Sequence, residues 1–66
     1  MRKYRCSVMF QSGSDSIPKV RIWDYVNAET TEEARQLFCT MRRGYLRSIQ
    51  RMHPFDYYIK VREVRT

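Results

Sequence analysis

In the run Val20-Arg21-Ile22-Trp23-Asp24-Tyr25-Val26-Asn27, the residues Arg21, Trp23 and Tyr25 recur at every second position. Tyr58, Lys60 and Arg62 repeat that spacing near the other end of the chain. An indole or phenol offers a flat π surface, and a guanidinium offers paired donors that match a phosphate or carboxylate. Rings and cations on one strand face can stack nucleic-acid bases while holding the backbone that joins them. A second basic series, Arg43, Arg47 and Arg51, has a spacing of four, with Arg42 beside it. No acidic residue falls between Glu33 and Asp56 to neutralise it locally. On a continuous helix such a row repels itself, and an external anion relieves the repulsion.

Catalytic chemistry has thinner material. The single imidazole is His53, directly before Pro54. A Cys39–His53 nucleophile pair can be drawn, but no orienting group or oxyanion loop accompanies it. Asp15, Asp24 and Asp56 have no paired spacing, and Cys6, Cys39 and His53 are too scattered to read as a zinc site. The stretch Gly13-Ser14-Asp15-Ser16 lacks the lysine pattern of a phosphate-binding loop. The expectation is a chain that is not an enzyme and takes no cofactor and no metal.

A small scaffold must position these residues. At 66 residues, positions 1–66 make a single domain, with little room for both a core and an enclosed catalytic cavity. Thirteen basic residues, ten of them arginine, face seven acidic ones for a net charge of +6. That balance points to an acidic partner, either nucleic acid or an acidic protein surface. Two cysteines make no disulfide framework, and the expectation is two reduced thiols in the cytoplasm. No apolar run approaches the ~20 residues of a membrane span. Met1-Arg2-Lys3-Tyr4-Arg5 leads into alternation rather than the apolar stretch of a signal peptide. A soluble cytoplasmic protein with no membrane partner is expected.

The periodicities predict the elements. Tyr4, Cys6, Val8 and Phe10 alternate with Lys3, Arg5, Ser7 and Met9 as a first strand. Residues 11–19 have loop composition, and a second strand follows with Val20, Ile22, Asp24 and Val26 on its inward side. Thr30 is placed to cap a helix, with Glu33 three residues on. Ala34, Leu37, Phe38, Met41 and Tyr45 form one stripe of that helix, expected from about Thr31 to Arg43. Gly44 either ends it as a left-handed cap or lies within a helix that continues through Tyr45 to Met52; the favoured layout has a second helical stretch to about Arg51, and His53-Pro54 stops any helix. Tyr57 to Val64 alternates as a third strand. The fold class expected is α+β: a two-layer β-β-α-β domain, a three-stranded sheet in the order 2-1-3 with one helix on one face. Asp24 conflicts with this layout. Either it lies where the strand outruns the helix, or a bulge near it shifts the register and turns Tyr25 inward.

Taken together, Val26-Asn27-Ala28, then Thr31-Glu32-Glu33-Ala34 with Thr30 before it, then Gly44, then Ile59-Lys60-Val61-Arg62-Glu63-Val64 resemble the β-β-α-β unit of small archaeal-type ribosomal LX proteins. The segment from Tyr45 to Phe55 is longer than that pattern. The layout is also similar to that of small phage-encoded proteins, some of which inhibit host defence or nucleic-acid machinery by binding it. Neither resemblance carries a functional residue across.

The leading expectation is a basic module that binds nucleic acid, single-stranded or RNA, through an uncovered sheet face. Trp23, Tyr25 and Tyr58 stack bases, Arg5, Arg21, Lys60 and Arg62 hold phosphates, and Arg43, Arg47 and Arg51 add sequence-independent attraction. Two other readings stay open. The same rings and arginines suit a protein interface, as in a homodimer or a phage-type inhibitor of a host complex. They also suit a plain solvated sheet stabilised by cross-strand aromatic pairs.

Overall fold

A computed structural model of the chain describes residues 1–11, 17–52 and 57–65. The expected hairpin tip at 12–16, Asp56, and the pairing of Cys39 with His53 fall partly or wholly outside these residues. Strand β1 runs Arg2–Phe10 and β2 runs Lys19–Ala28; helix α1 spans Thr31–Met41 and α2 spans Arg43–Met52; strand β3 is Tyr57–Glu63. The sheet is antiparallel throughout, in the order β2-β1-β3. The α+β class and the strand order follow the sequence expectation. The single helix does not, because the described residues form two.

The core lies between the sheet and the helices. Tyr4, Cys6 and Val8 of β1 and Val26 and Ala28 of β2 meet Ala34 and Phe38 of α1 and Ile49 of α2. Alternation in β1 sends those three side chains to one side, and Ala34 and Phe38, four apart, share one helical stripe. Phe38 has no exposed surface and is the largest side chain to be so buried. Burying such a ring contributes about 1.5–3 kcal/mol, a large share for a domain this small. The predicted stripe holds at Ala34 and Phe38 and fails at Leu37 and Met41, which are exposed. It holds also at Tyr45, which packs against the core from α2 together with Leu46 and Ile49. Thr30 stands in extended geometry before α1, and its Oγ1 accepts a hydrogen bond from Glu33 N–H at 3.1 Å. That satisfies one of the helix's unpaired first-turn donors, as the Thr30/Glu33 spacing anticipates.

The helices part at Arg42, not at Gly44. Arg42 has φ −111° and ψ 29°, off the helical values, while Gly44 sits inside α2. Hydrogen bonding nevertheless runs across the break: Arg42 N–H donates to Phe38 O at 3.0 Å and Leu46 N–H to Arg42 O at 2.9 Å. Glycine permits a helix to end but does not force it. What distinguishes Arg42 is an anchor eighteen residues away: its Nε donates to Asp24 Oδ2 at 2.6 Å and its Nη2 to Asp24 Oδ1 at 2.9 Å. This two-point grip ties the helix junction to β2 and resolves the Asp24 conflict. The carboxylate stays on the helix side, half-buried and paired, so neither an overrunning strand nor a bulge at Asp24 is needed.

A bulge does occur, further back. Val8 pairs with Ile22 but Met9 pairs with Val20, so Arg21 is the extra residue of β2. Val20 is thereby turned to the open side of the sheet, exposed and opposite Met9, rather than to the core as its alternation predicts. Because the bulge precedes Trp23, Tyr25 keeps its outward direction.

Candidate functional site

Helix α1 packs on one side of the sheet and α2 joins the same core from beside it through Ile49, which leaves the other side free of any element among the described residues. Cross-strand register arranges that open face in rows. Asn27 stands beside Lys3. Tyr25, Arg5 and Arg62 form the next row, then Trp23, Ser7 and Lys60, then Val20, Met9 and Tyr58. The rings are presented rather than hidden: Trp23 is 45% exposed, Tyr25 49% and Tyr58 42%. The middle strand is different. Ser7 and Met9 are only 5% and 7% exposed although no helix covers them. Val20 of β2 and Lys60 and Arg62 of β3, with Arg5, Ser7 and Met9 of β1, line a dent at the low centre of the face.

The face is internally organised. Trp23 and Tyr25 meet edge to face with centroids 5.1 Å apart, a favoured geometry for an aromatic pair. The Arg5 guanidinium lies 4.7 Å from the Trp23 ring centre, and Lys3 Nζ lies 4.2 Å from that of Tyr25. Each cation sits over the negative face of a ring, worth about 0.5–1 kcal/mol at an exposed site. No carboxylate occupies any of the rows. The described acidic residues lie elsewhere: Asp24 and Glu63 on the helix side of the sheet, Glu29, Glu32 and Glu33 around the start of α1. Arg42, hydrogen-bonded to Asp24, holds that carboxyl below the usual carboxylate range. Glu63 is met by Arg2 and by Arg65, each at 3.5 Å.

The sequence-predicted residues divide into three sets. Arg5, Trp23, Tyr25, Tyr58, Lys60 and Arg62 are together on the open face. Arg21 is not with them, a correction caused by the bulge: its guanidinium lies 5.0 Å from the ring centre of Phe10. Phe10 packs against the helix-side core. Arg43, Arg47 and Arg51 are all exposed on α2, as a spacing of four predicts, but α2 lies across the sheet from Trp23. They form a separate basic row with no ion-pair partner among the described residues. The expectation that the chain offers this region no counter-charge fails only at Arg42, which Asp24 supplies from β2.

Lys3, Ser7, Met9, Val20 and Asn27 are the face residues that motif reading passes over as functional candidates. Alternation does place Lys3, Ser7, Met9 and Asn27 on that side; only Val20 had no sequence signal, since its direction is set by the bulge. Both thiols are free, Cys6 buried and Cys39 half-buried. Burial pushes the Cys6 thiol up, and its Sγ donates to Ala34 O at 3.7 Å, a packing role. Among the described residues no group of three His, Cys, Asp or Glu side chains could hold a metal ion. No helix is long and apolar enough to cross a membrane. No family model, no curated protein and no solved structure matches the chain.

Proposed function

We propose that the open sheet face binds single-stranded nucleic acid, as a non-enzymatic module. One observation carries the reading: among the described residues, one uncovered face combines three half-exposed rings, Trp23, Tyr25 and Tyr58, with Lys3, Arg5, Lys60 and Arg62, and holds no carboxylate. Stacking on an aromatic platform is indifferent to base identity, because every base has a π face. The cations supply the phosphate term, which dominates affinity and falls steeply with salt. In a plain solvated sheet, cross-strand stability is served equally well by interspersed acidic residues, and their exclusion from this face is what favours an anionic partner.

Binding of short mixed-sequence oligonucleotides, followed by the quenching of Trp23 fluorescence, tests the proposal. Submicromolar to micromolar binding that weakens steeply between low and physiological salt is expected. Trp23→Ala, which leaves the chain without tryptophan and is therefore followed by the anisotropy of a labelled oligonucleotide, weakens it by about 1–3 kcal/mol. Binding that ignores salt, or a nuclease-resistant protein partner that protects Trp23 in place of the oligonucleotide, rejects it in favour of a protein interface.

A further inference from the structure

The low centre of the open face holds a dent of about 50 Å³ lined by Arg5, Ser7, Met9, Val20, Lys60 and Arg62. It has room for a few water molecules, hence for a small polar group. Two features of its walls are unfavourable as they stand. Arg5 is paired directly opposite Arg62, with Lys60 on the next row opposite Ser7, and like charges facing each other across an antiparallel pair destabilise it. In addition, Arg5 Nε is shut off from solvent and has no hydrogen-bond partner among the described residues, which leaves a guanidinium donor unsatisfied. One anion in the dent would relieve both.

We infer that the dent is a phosphate subsite that takes the phosphate group of one nucleotide whose base stacks on Trp23. The inference rests on the reading of this face as a nucleic-acid surface and specifies where one residue of the strand sits. Ser7 pairs across the strands with Trp23 on one side and Lys60 on the other. A base on the indole and a phosphate beside Ser7 are therefore neighbours within one row. In the unliganded arrangement the Arg5 guanidinium occupies a face of Trp23 at 4.7 Å. A base arriving on that face displaces it, and rotation off the indole frees the Nε–H to donate to the phosphate. Arg62 and Lys60 supply the remaining charge from β3, and the Ser7 hydroxyl supplies a neutral donor at the floor. Arg5 thus changes partner, from ring to phosphate, when a nucleotide binds.

The test follows the Arg5 Nε–Hε signal and the backbone amides by nuclear magnetic resonance on the full chain. Three probes are titrated to tens of millimolar: a nucleoside 5′-monophosphate, the same nucleoside without phosphate, and inorganic phosphate. The monophosphate is expected to bind about tenfold or more tightly than the nucleoside, the increment of charge-assisted hydrogen bonds. It moves Arg5 Nε–Hε together with the Ser7 and Lys60 amides. Arg62→Ala removes that tenfold advantage, and Arg47→Ala on the far helix leaves it intact; a dispersed amide spectrum shows that each variant is folded. Equal binding of nucleoside and monophosphate overturns the subsite, and so does a phosphate response confined to Arg43, Arg47 and Arg51 with Arg5 unmoved. Oligonucleotide binding that still depends on Trp23 alongside such a result removes the subsite and leaves the face reading standing. An absence of oligonucleotide binding removes the face reading, and the subsite then falls too unless inorganic phosphate alone moves Arg5 Nε–Hε.

Discussion

The two sides of this sheet are built from the same three strands, residue by residue in alternation, and they treat charge in opposite ways. On the helix side each described carboxylate of the strands has an arginine: Asp24 is gripped at two points by Arg42, and Glu63 is flanked by Arg2 and Arg65. On the open side the cations have only rings for company, with Arg5 over Trp23 and Lys3 over Tyr25. A charge brought near the core must be matched, because the carboxylate is partly withdrawn from water. A charge on the open side is hydrated and can remain unmatched until a ligand arrives. The difference teaches that the positive potential of this molecule is not spread evenly: among the described residues, the strand acids Asp24 and Glu63 meet arginines on the helix side, and no acid stands in the rows that carry the exposed rings.

The comparison breaks most visibly at the core. Phe38→Ala removes the largest wholly buried side chain among the described residues and is expected to cost about 3–5 kcal/mol, a large share of the about 5–15 kcal/mol that holds a domain folded. Thermal or urea unfolding followed by circular dichroism measures it, and a folded variant of near wild-type midpoint contradicts the assigned core. Trp23→Ala gives a different signature: a loss of about 1–3 kcal/mol in oligonucleotide affinity with an unfolding midpoint lowered far less than that of Phe38→Ala, by the loss of the Tyr25 and Arg5 contacts alone. A variant that loses both equally shows that Trp23 is a structural residue.

Acid titration sharpens the contrast in charge. The folded-state pKa of Asp24 is lowered, with the hydrogen bond from Arg42 as its largest cause. Its contribution to stability is therefore fully present above the unfolded value of about 3.9 and is lost as the pH falls through the lower folded value. Unfolding midpoints of the parent and Asp24→Asn should differ at pH 7 and converge in strongly acidic solution. A gap that persists there means the pair acts by shape alone. The smallest expected effect is Gly44→Ala. Gly44 is helical, and an added Cβ meets nothing within 4 Å. The change should raise stability by about 0.4–1 kcal/mol by restricting the unfolded chain, and a destabilised variant shows strain at that position.

How far the chain could be read before folding varies by element. β1 was legible throughout, because a central strand that alternates Tyr4, Cys6, Val8 and Phe10 with polar residues carries its direction in its period. α1 was legible at its start, where Thr30 and Glu33 have the spacing of a cap, and the rings Trp23, Tyr25 and Tyr58 were placed on the correct face. The junction at Arg42 was misread as a question about Gly44, since a glycine is a local signal and an ion pair spanning eighteen residues is not. Arg21 and Val20 were misassigned for a related reason: one inserted residue reverses every side chain on the far side of a bulge, and nothing in the local composition announces it.

Periodicity, charge balance and the Thr30 cap thus specified three strands, the start of α1 and a basic aromatic face, because each is carried by residues a few positions apart, and the order 2-1-3 followed from the handedness of crossovers. The folded chain alone placed Arg42 on Asp24, turned Arg21 away from the face and opened a dent beside Ser7. Those are contacts across the sheet and between layers, and their geometry exists only once separate segments have been brought together and packed.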